Sequence, residues 1–244
     1  VNPHINNFIA VLDGALITNM RTGAQTAVAL KYLLGLKDGE RRPIHLGIYG
    51  AGMQGHMQTR AISTLFDIEE LRIYDVSRAA LERFREDMQS AIPGRIILCD
   101  DPKDAAQGDA VICVTQSKDG FLKEEWLSPE TIVFPMGSYQ ECEDDVLLHA
   151  DKIVVDHVEQ TLHRGALSKL AAEGKITRES ITCTIGELVA GRAELHREPG
   201  QRIVCLPIGT GAMDIGCASV VYQRALEQKR GQFFDFGVSS ATEW

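Results

Sequence analysis

Residues 44–55 read Ile44-His45-Leu46-Gly47-Ile48-Tyr49-Gly50-Ala51-Gly52-Met53-Gln54-Gly55. The first six are β-prone and largely apolar, as a strand covered on both faces in a parallel sheet would be. A GxGxxG follows at once and opens a helical pattern over 53–65. In such a turn Gly50 permits the tight bend and Gly52 lets the backbone approach a pyrophosphate. Gly55 allows close packing of helix on strand, and the helix start, with Met53 and Gln54, offers oriented N–H groups at a positive dipole end. Asp75 ends the next strand-like run, twenty residues after Gly55. A carboxylate there accepts hydrogen bonds from a ribose 2′-OH. A GxGxxG alone is weak, and two other readings are a turn that only packs and a loop holding a nucleoside without a pyrophosphate. The flanking strand and helix and the downstream acid together predict a dinucleotide site.

Outward from this turn, residues 71–75, 96–99, 110–115, 131–134 and 152–156 also read as short apolar strands. Residues 77–92 read as a helix, with Ser77 as N-cap and Pro93-Gly94 as the stop. Repeated strand–helix alternation predicts an α/β fold, a doubly wound parallel (Rossmann) sheet. Residues 18–34 and 212–228 are helical but fit no βαβ unit, the latter following a strand-like run at 202–207. The expected organisation is therefore a dinucleotide-binding domain at 38–205 and a second, smaller, discontinuous substrate and dimerisation domain from 1–37 and 206–244. The polar 39–43 stretch, ending in Pro43, is the expected joint. The tail from Gly231 has no clear period.

The chain has 244 residues, 44% of them hydrophobic and 24% charged, an ordinary globular composition. Its 34 acidic and 25 basic residues give a net charge of -9, which argues against nucleic acid or an anionic membrane as partner. No apolar run approaches the ~20 residues of a membrane span. Six cysteines form no CxxC pair and mostly lie in apolar runs, so free buried thiols in a reducing cytoplasm are expected rather than disulfides. Seven histidines show no metal-ligand spacing, no GxSxG is present, and no metal is expected.

Two further blocks carry polar groups. Thr18-Asn19-Met20-Arg21-Thr22-Gly23-Ala24 places an arginine on a helix, where its planar fork can meet a carboxylate; by spacing alone a surface arginine is the better reading. Gly209-Thr210-Gly211-Ala212-Met213-Asp214 is a glycine-rich turn into a helix, and Asp214 in its first turn complements the helix dipole. Glu141 to Asp145 is an acidic run that reads as a solvated helix start. His163-Arg164-Gly165 reads as a polar surface segment at least as well as a substrate contact.

In this order the blocks resemble the ornithine cyclodeaminase/mu-crystallin family. The resemblance rests on Asp13-Gly14, Ile17-Thr18, Arg21-Thr22-Gly23-Ala24, Gly50-Ala51-Gly52-Met53-Gln54 and Val114-Thr115-Gln116-Ser117. It continues through Met136-Gly137-Ser138, Lys152-Ile153-Val154-Val155-Asp156, Ile185-Gly186-Glu187-Leu188, Gly191-Arg192 and Gly209 to Asp214. It implies an NAD(P)-dependent oxidoreductase acting on an α-amino acid or its α-imino acid, active as a homodimer, with the substrate at the carboxyl ends of the strands. Arg21 then matches the ligand of the substrate carboxylate, and Asp214 is one candidate for the acid/base group, beside the acidic run. Met53 and Gln54 match pyrophosphate contacts, Asp75 the ribose ligand and Thr115 a contact after the fourth strand. Met136, Gly137 and Ser138 match the turn beside the nicotinamide. Asp75 favours NAD over NADP. Ser77 and Arg78 lie close by, and Arg78 is the complication because it can pair with a 2′-phosphate.

Two departures qualify the resemblance. It implies about 70–100 residues ahead of the RTGA block, with a second basic residue for the substrate carboxylate. Here Val1-Asn2-Pro3-His4 looks like an internal stretch of that region, and the join around residues 5–7 looks too short. Cyclodeaminases also carry an aspartate where this chain has Tyr139. That favours net redox chemistry over redox-neutral ornithine or lysine cyclodeamination; a non-catalytic nicotinamide-dependent binding protein is the other alternative.

Overall fold

A computed structural model describes residues 8–233. The N-terminal join at residues 5–7 and most of the tail beyond Gly231 lie outside the described residues. Eight strands form one sheet: β1 (Pro43–Tyr49), β2 (Asp67–Tyr74), β3 (Arg95–Leu98), β4 (Ala110–Cys113), β5 (Ile132–Pro135), β6 (Lys152–Val155), β7 (Cys183–Thr184) and β8 (Ile203–Leu206). Their order is β3-β2-β1-β4-β5-β8-β6-β7 and every pairing is parallel. The helices are α1 (Gly14–Leu33), α2 (Met53–Ser63), α3 (Arg78–Met88), α4 (Pro102–Ala105), α5 (Asp144–Leu148), α6 (Val158–His163), α7 (Ser168–Ala172), α8 (Ile185–Val189) and α9 (Gly211–Glu227).

Alternation along each central strand sends side chains to two apolar layers. Ile44, Leu46, Ile48, Ile112, Phe134 and Cys205 join one core with Leu30 and Leu33 of α1, Ile62 of α2 and Phe84 of α3. Tyr49, Val111, Cys113, Val133, Val155 and Val204 join a second core with Leu147, Leu167 and Leu170. Both faces of the sheet are thus covered, which is the condition an all-parallel sheet requires.

Local signals set several boundaries. The Asp13 carboxylate accepts from the Ala15 amide at 2.9 Å, so α1 starts ahead of the expected residue 18. The Ser77 hydroxyl accepts from the Ala80 amide at 3.3 Å and caps α3, as its sequence predicts. Strand β2 begins earlier than residue 71, at Asp67. Its polar start is accommodated because Glu70 takes hydrogen bonds from Arg72 at 2.6 Å and from Arg95 Nε at 2.7 Å. Burial opposes the charge on Glu70, but the bonds from these two arginines outweigh it and hold the carboxyl below its usual range.

Residues 22–209 form one compact unit, and residues 8–21 with 210–233 form another. The division falls inside α1, ahead of the polar joint expected at 39–43, because Ala27, Ala29, Leu30 and Leu33 belong to the sheet core. In the sheet unit a β-carbon on Gly23 would lie 2.5 Å from the Met57 carbonyl oxygen, so α1 and α2 touch backbone to backbone. Of the second unit's helix α9, no residue is buried.

Helix α4 lies directly on β1. A β-carbon on Gly47 would stand 1.9 Å from the Ala105 carbonyl oxygen, and the Tyr49 hydroxyl donates to the Pro102 carbonyl at 2.6 Å. Gly47→Ala must push α4 off the strand, and we expect a loss of about 2–3 kcal/mol of stability. Urea unfolding checks this; an unchanged midpoint and slope would refute it.

Candidate functional site

The glycine turn joins β1 to α2, and its three glycines do different things. Gly50 adopts φ 107°, and a β-carbon there would meet the Val114 carbonyl oxygen at 2.6 Å. One on Gly55 would meet the Gly50 carbonyl oxygen at 2.2 Å, so the helix seats against its own turn. Gly52 is the N-cap of α2, with no side chain capping the helix, and a β-carbon there would meet nothing within 4 Å. The missing side chain at Gly52 is therefore not required by the protein's own packing, and it leaves open space beside the helix start. A helix start without a side-chain cap at its N-cap, beside that opening, suits a phosphate. Met53, 58% exposed, stands at the same helix start.

A cavity of about 580 Å³ opens against this turn, within the range of nucleotide and cofactor sites. Gly50, Gly52 and Asp75 edge one side, and residues 114–117 the other. Its apolar wall is aromatic: the Tyr49 ring centroid lies 5.0 Å from that of Phe121 and 6.1 Å from that of Tyr74. Burial pushes the pKa of Tyr49 far up, so its hydroxyl stays a neutral donor. The carboxylate of Asp75 is held at both oxygens, from the Ala51 amide at 2.8 Å and the Ser77 amide at 2.8 Å. Its position at the end of β2, on the cavity edge, suits a ribose diol. Arg78 faces other partners, Glu82 through Nε and Asp100 through Nη1, each at 3.0 Å.

A second group of residues links the ends of β4 and β5. Glu141 is fully buried. One carboxylate oxygen accepts from the amide and the hydroxyl of Thr115, both at 2.6 Å, and the other from the Gly137 amide at 2.7 Å. Burial raises its pKa above the usual carboxylate range, and the bonds from Thr115, Gly137 and Met136 oppose that rise. The solvated helix start read from the acidic run holds only beyond this residue: Glu143 is the N-cap of α5, and Asp144 and Asp145 are in its first turn. Asp144 is further tied to Lys169 at 3.0 Å. Met136, Gly137 and Ser138 line a narrow crevice of about 30 Å³ together with Arg164 and Leu206. Sulfur of Met136 accepts from the Thr26 hydroxyl at 3.6 Å.

In the other unit Arg21 meets Asp214. Its Nε donates to an Asp214 carboxylate oxygen at 3.0 Å, and the Thr18 hydroxyl donates to the same oxygen at 2.9 Å. Partial burial works against the Asp214 charge, yet these bonds and the arginine charge hold its carboxyl below the usual range. Asp214 is therefore ionised at neutral pH and a weak base. Among the described residues no hydrogen bond engages the two terminal nitrogens of Arg21, so the pair leaves a guanidinium fork available to a carboxylate.

The structure thus gathers Gly50, Gly52, Asp75 and Thr115 around one cavity, sets Met136, Gly137 and Ser138 on a crevice, and pairs Arg21 with Asp214. Ser77 and Gln54 belong to the helix starts beside the turn. Sequence reading missed the aromatic wall, since Tyr49 and Tyr74 sit at the ends of strands whose apolar character hides a binding surface. It also had no signal for Glu141 as a tether between two turns. Burial pushes the thiol of Cys99 up to about 11 and those of Cys113 and Cys205 well up. These three offer no thiolate nucleophile at neutral pH. Among the described residues no cluster of His, Cys, Asp or Glu can hold a metal.

The open space at Gly52 makes a specific prediction. Gly52→Ala should leave thermal stability within about 1 kcal/mol while weakening NAD binding at least tenfold. Fluorescence titration of NAD and NADP against both proteins checks it and the role of Asp75 together. Wild type should bind NAD more tightly than NADP, because Asp75 repels a 2′-phosphate. Unchanged NAD affinity in the variant, or tighter NADP binding in wild type, would contradict the assignment.

Comparison with known proteins agrees with this arrangement. The model of the ornithine cyclodeaminase/mu-crystallin family matches residues 2–229. Alanine dehydrogenase of Archaeoglobus fulgidus is 30% identical over 232 residues, covering 93% of this chain and 70% of that protein. Among solved structures, an archaeal alanine dehydrogenase dimer with bound NAD superposes with TM-score 0.83 at 30% identity, over 96% of this chain and 72% of that one. Delta(1)-pyrroline-2-carboxylate reductase of Thermococcus litoralis, in complex with NADH and L-proline, superposes with TM-score 0.85 at 26% identity, over 95% of this chain and 72% of that one. With the family-model match running over nearly its whole length, the chain belongs to the ornithine cyclodeaminase/mu-crystallin family.

Proposed function

We propose that this chain is an NAD-dependent oxidoreductase that interconverts an α-amino acid and its α-imino acid. The observation that carries the reading is the cavity edged by Gly50, Gly52 and Asp75 on one side and Thr115 on the other. Relatives named as a dehydrogenase of alanine and a reductase of a cyclic imino acid support the substrate class. When bound, the nicotinamide ring supplies the hydride acceptor or donor. Arg21 would take the substrate carboxylate through its terminal nitrogens, with Asp214 fixing the guanidinium plane through Nε. Asp214, held ionised by that pair, serves better as orienter than as base.

Net redox chemistry is favoured over cyclodeamination by the turn after β5. Tyr139, 51% exposed, is the residue that the family resemblance sets where cyclodeaminases carry an aspartate, and a phenol does not replace a carboxylate as proton acceptor. The nearest acid, Glu141, is buried and committed to three donors. We expect amino acids with NAD to give accumulating NADH, followed by absorbance, and Arg21→Ala to raise KM at least tenfold while NAD affinity changes less than about threefold. L-Ornithine converted to stoichiometric proline and ammonia without NADH would sink the redox reading. Tight cofactor binding with no turnover across amino acids and 2-oxo acids with amines would instead make this a binding protein.

A homodimer in a reducing cytoplasm completes the proposal. Helix α9 carries Ile215, Val220, Val221 and Leu226 exposed, an apolar surface that a second copy would cover, and the archaeal alanine dehydrogenase neighbour is described as a dimer. All six cysteines are free, consistent with a thiol-reducing compartment. Light scattering should give a dimer at micromolar concentration, unchanged by reductant; a monomer would contradict it. Among the described residues no helix is long and apolar enough to cross a membrane.

A further inference from the structure

Glu141 is unusual among the carboxylates of this chain. It is fully buried, and its partners are backbone amides and one hydroxyl, those of Thr115 and Gly137 at 2.6–2.7 Å, rather than a cation. Each oxygen receives at least one N–H, an arrangement that suits the ionised form, since a protonated carboxyl would waste an acceptor site. The turn after β5 presses on it: a β-carbon on Gly137 would lie 2.7 Å from the Glu141 carboxyl carbon. Nothing else among the described hydrogen bonds joins Thr115, at the end of β4, to Gly137, at the end of β5.

The sheet order says which part of a dinucleotide these turns meet. Strand β1 lies between β2 and β4, and Asp75 at the end of β2 marks the side of the adenosine ribose. The other nucleotide of a dinucleotide then lies toward the ends of β4 and β5, which carry Thr115 and Gly137. The oxidised nicotinamide ring bears a positive charge and the reduced ring is neutral. A buried anion without a cationic partner is poorly screened, so it discriminates between the two.

We propose that Glu141 is a positioning residue that clamps the Thr115 and Gly137 turns together and biases the site toward the oxidised, positively charged form of the nicotinamide cofactor. The inference rests on the cofactor reading above and adds a role for a residue outside the glycine turn. Its chemical consequence is an amino-acid-oxidising site in which NAD+ is held more tightly, relative to product NADH, than it would be over a neutral residue.

The test is binding of each redox form, measured by titration without substrate. Glu141→Gln keeps the size and removes the charge, whereas Glu141→Asp keeps the charge and withdraws it by one methylene. The Gln variant should lose at least fivefold more affinity for NAD+ than for NADH. The Asp variant should weaken both forms together, with their ratio within twofold of wild type. Equal losses of both forms in the Gln variant, which a purely structural clamp would give, would overturn the electrostatic role. A ratio in the Asp variant displaced as far toward NADH as fivefold would overturn it too, and stands as a test even if the Gln protein does not fold. Wild type that binds both forms separates that outcome from failure of the cofactor reading itself, in which wild type binds neither.

Discussion

Around strand β1 the backbone comes closer to other backbone than any β-carbon would allow. Gly47 lies under the last carbonyl of α4, Gly50 under the carbonyl of Val114, and Gly55 against the carbonyl of Gly50. These contacts set β1 between β2 and β4 and bring the ends of all three strands to one edge. The α2 start, Asp75 and Thr115 follow from that placement, because each is attached to a strand end whose position the close approach determines. A side chain at Gly47 would disturb the sheet, whereas one at Gly52 would meet open space beside the cavity, so one short stretch holds both the tightest packing and an opening.

Hydrogen bonds then tie the strand ends to one another. Asp75 receives the Ala51 amide from across the turn and the Ser77 amide from its own loop, which holds its carboxylate at the cavity edge. Glu141 does the same between β4 and β5. In both cases a carboxylate satisfies backbone N–H groups that a parallel sheet leaves unpaired where its strands stop. The site is thus preorganised by groups that also complete the sheet, which lowers the ordering cost of binding.

The arginine pair works by a different logic. Arg21 gives Nε to Asp214, and a guanidinium held on one edge keeps two donors in a fixed plane on the other. An isolated arginine would spend rotamer entropy on each encounter; a paired one does not. The lowered pKa of Asp214 is part of the same arrangement and accounts for its unsuitability as a proton acceptor at neutral pH.

The amino-acid sequence by itself determined the local pieces of this protein. The β1 turn, the Ser77 cap, the acid at Asp75 and the apolar runs of the central strands were legible because each depends on residues within a few positions of itself. Family resemblance extended that reading to Arg21 and Asp214, though nothing in their spacing announced that they would bond. Tertiary structure alone decided where distant segments meet. Strand β8, the last among the described residues, lies between β5 and β6, so even the nearer of these along the chain, β6, is separated from it by three α-helices and strand β7. Helix α1 is divided between two units because four of its apolar residues are claimed by the sheet core. Glu141 read as one acid in a solvated run, and only the meeting of the β4 and β5 turns made it a buried tether. Burial and long-range pairing are properties of the assembled sheet, and a residue's neighbours along the chain do not contain them.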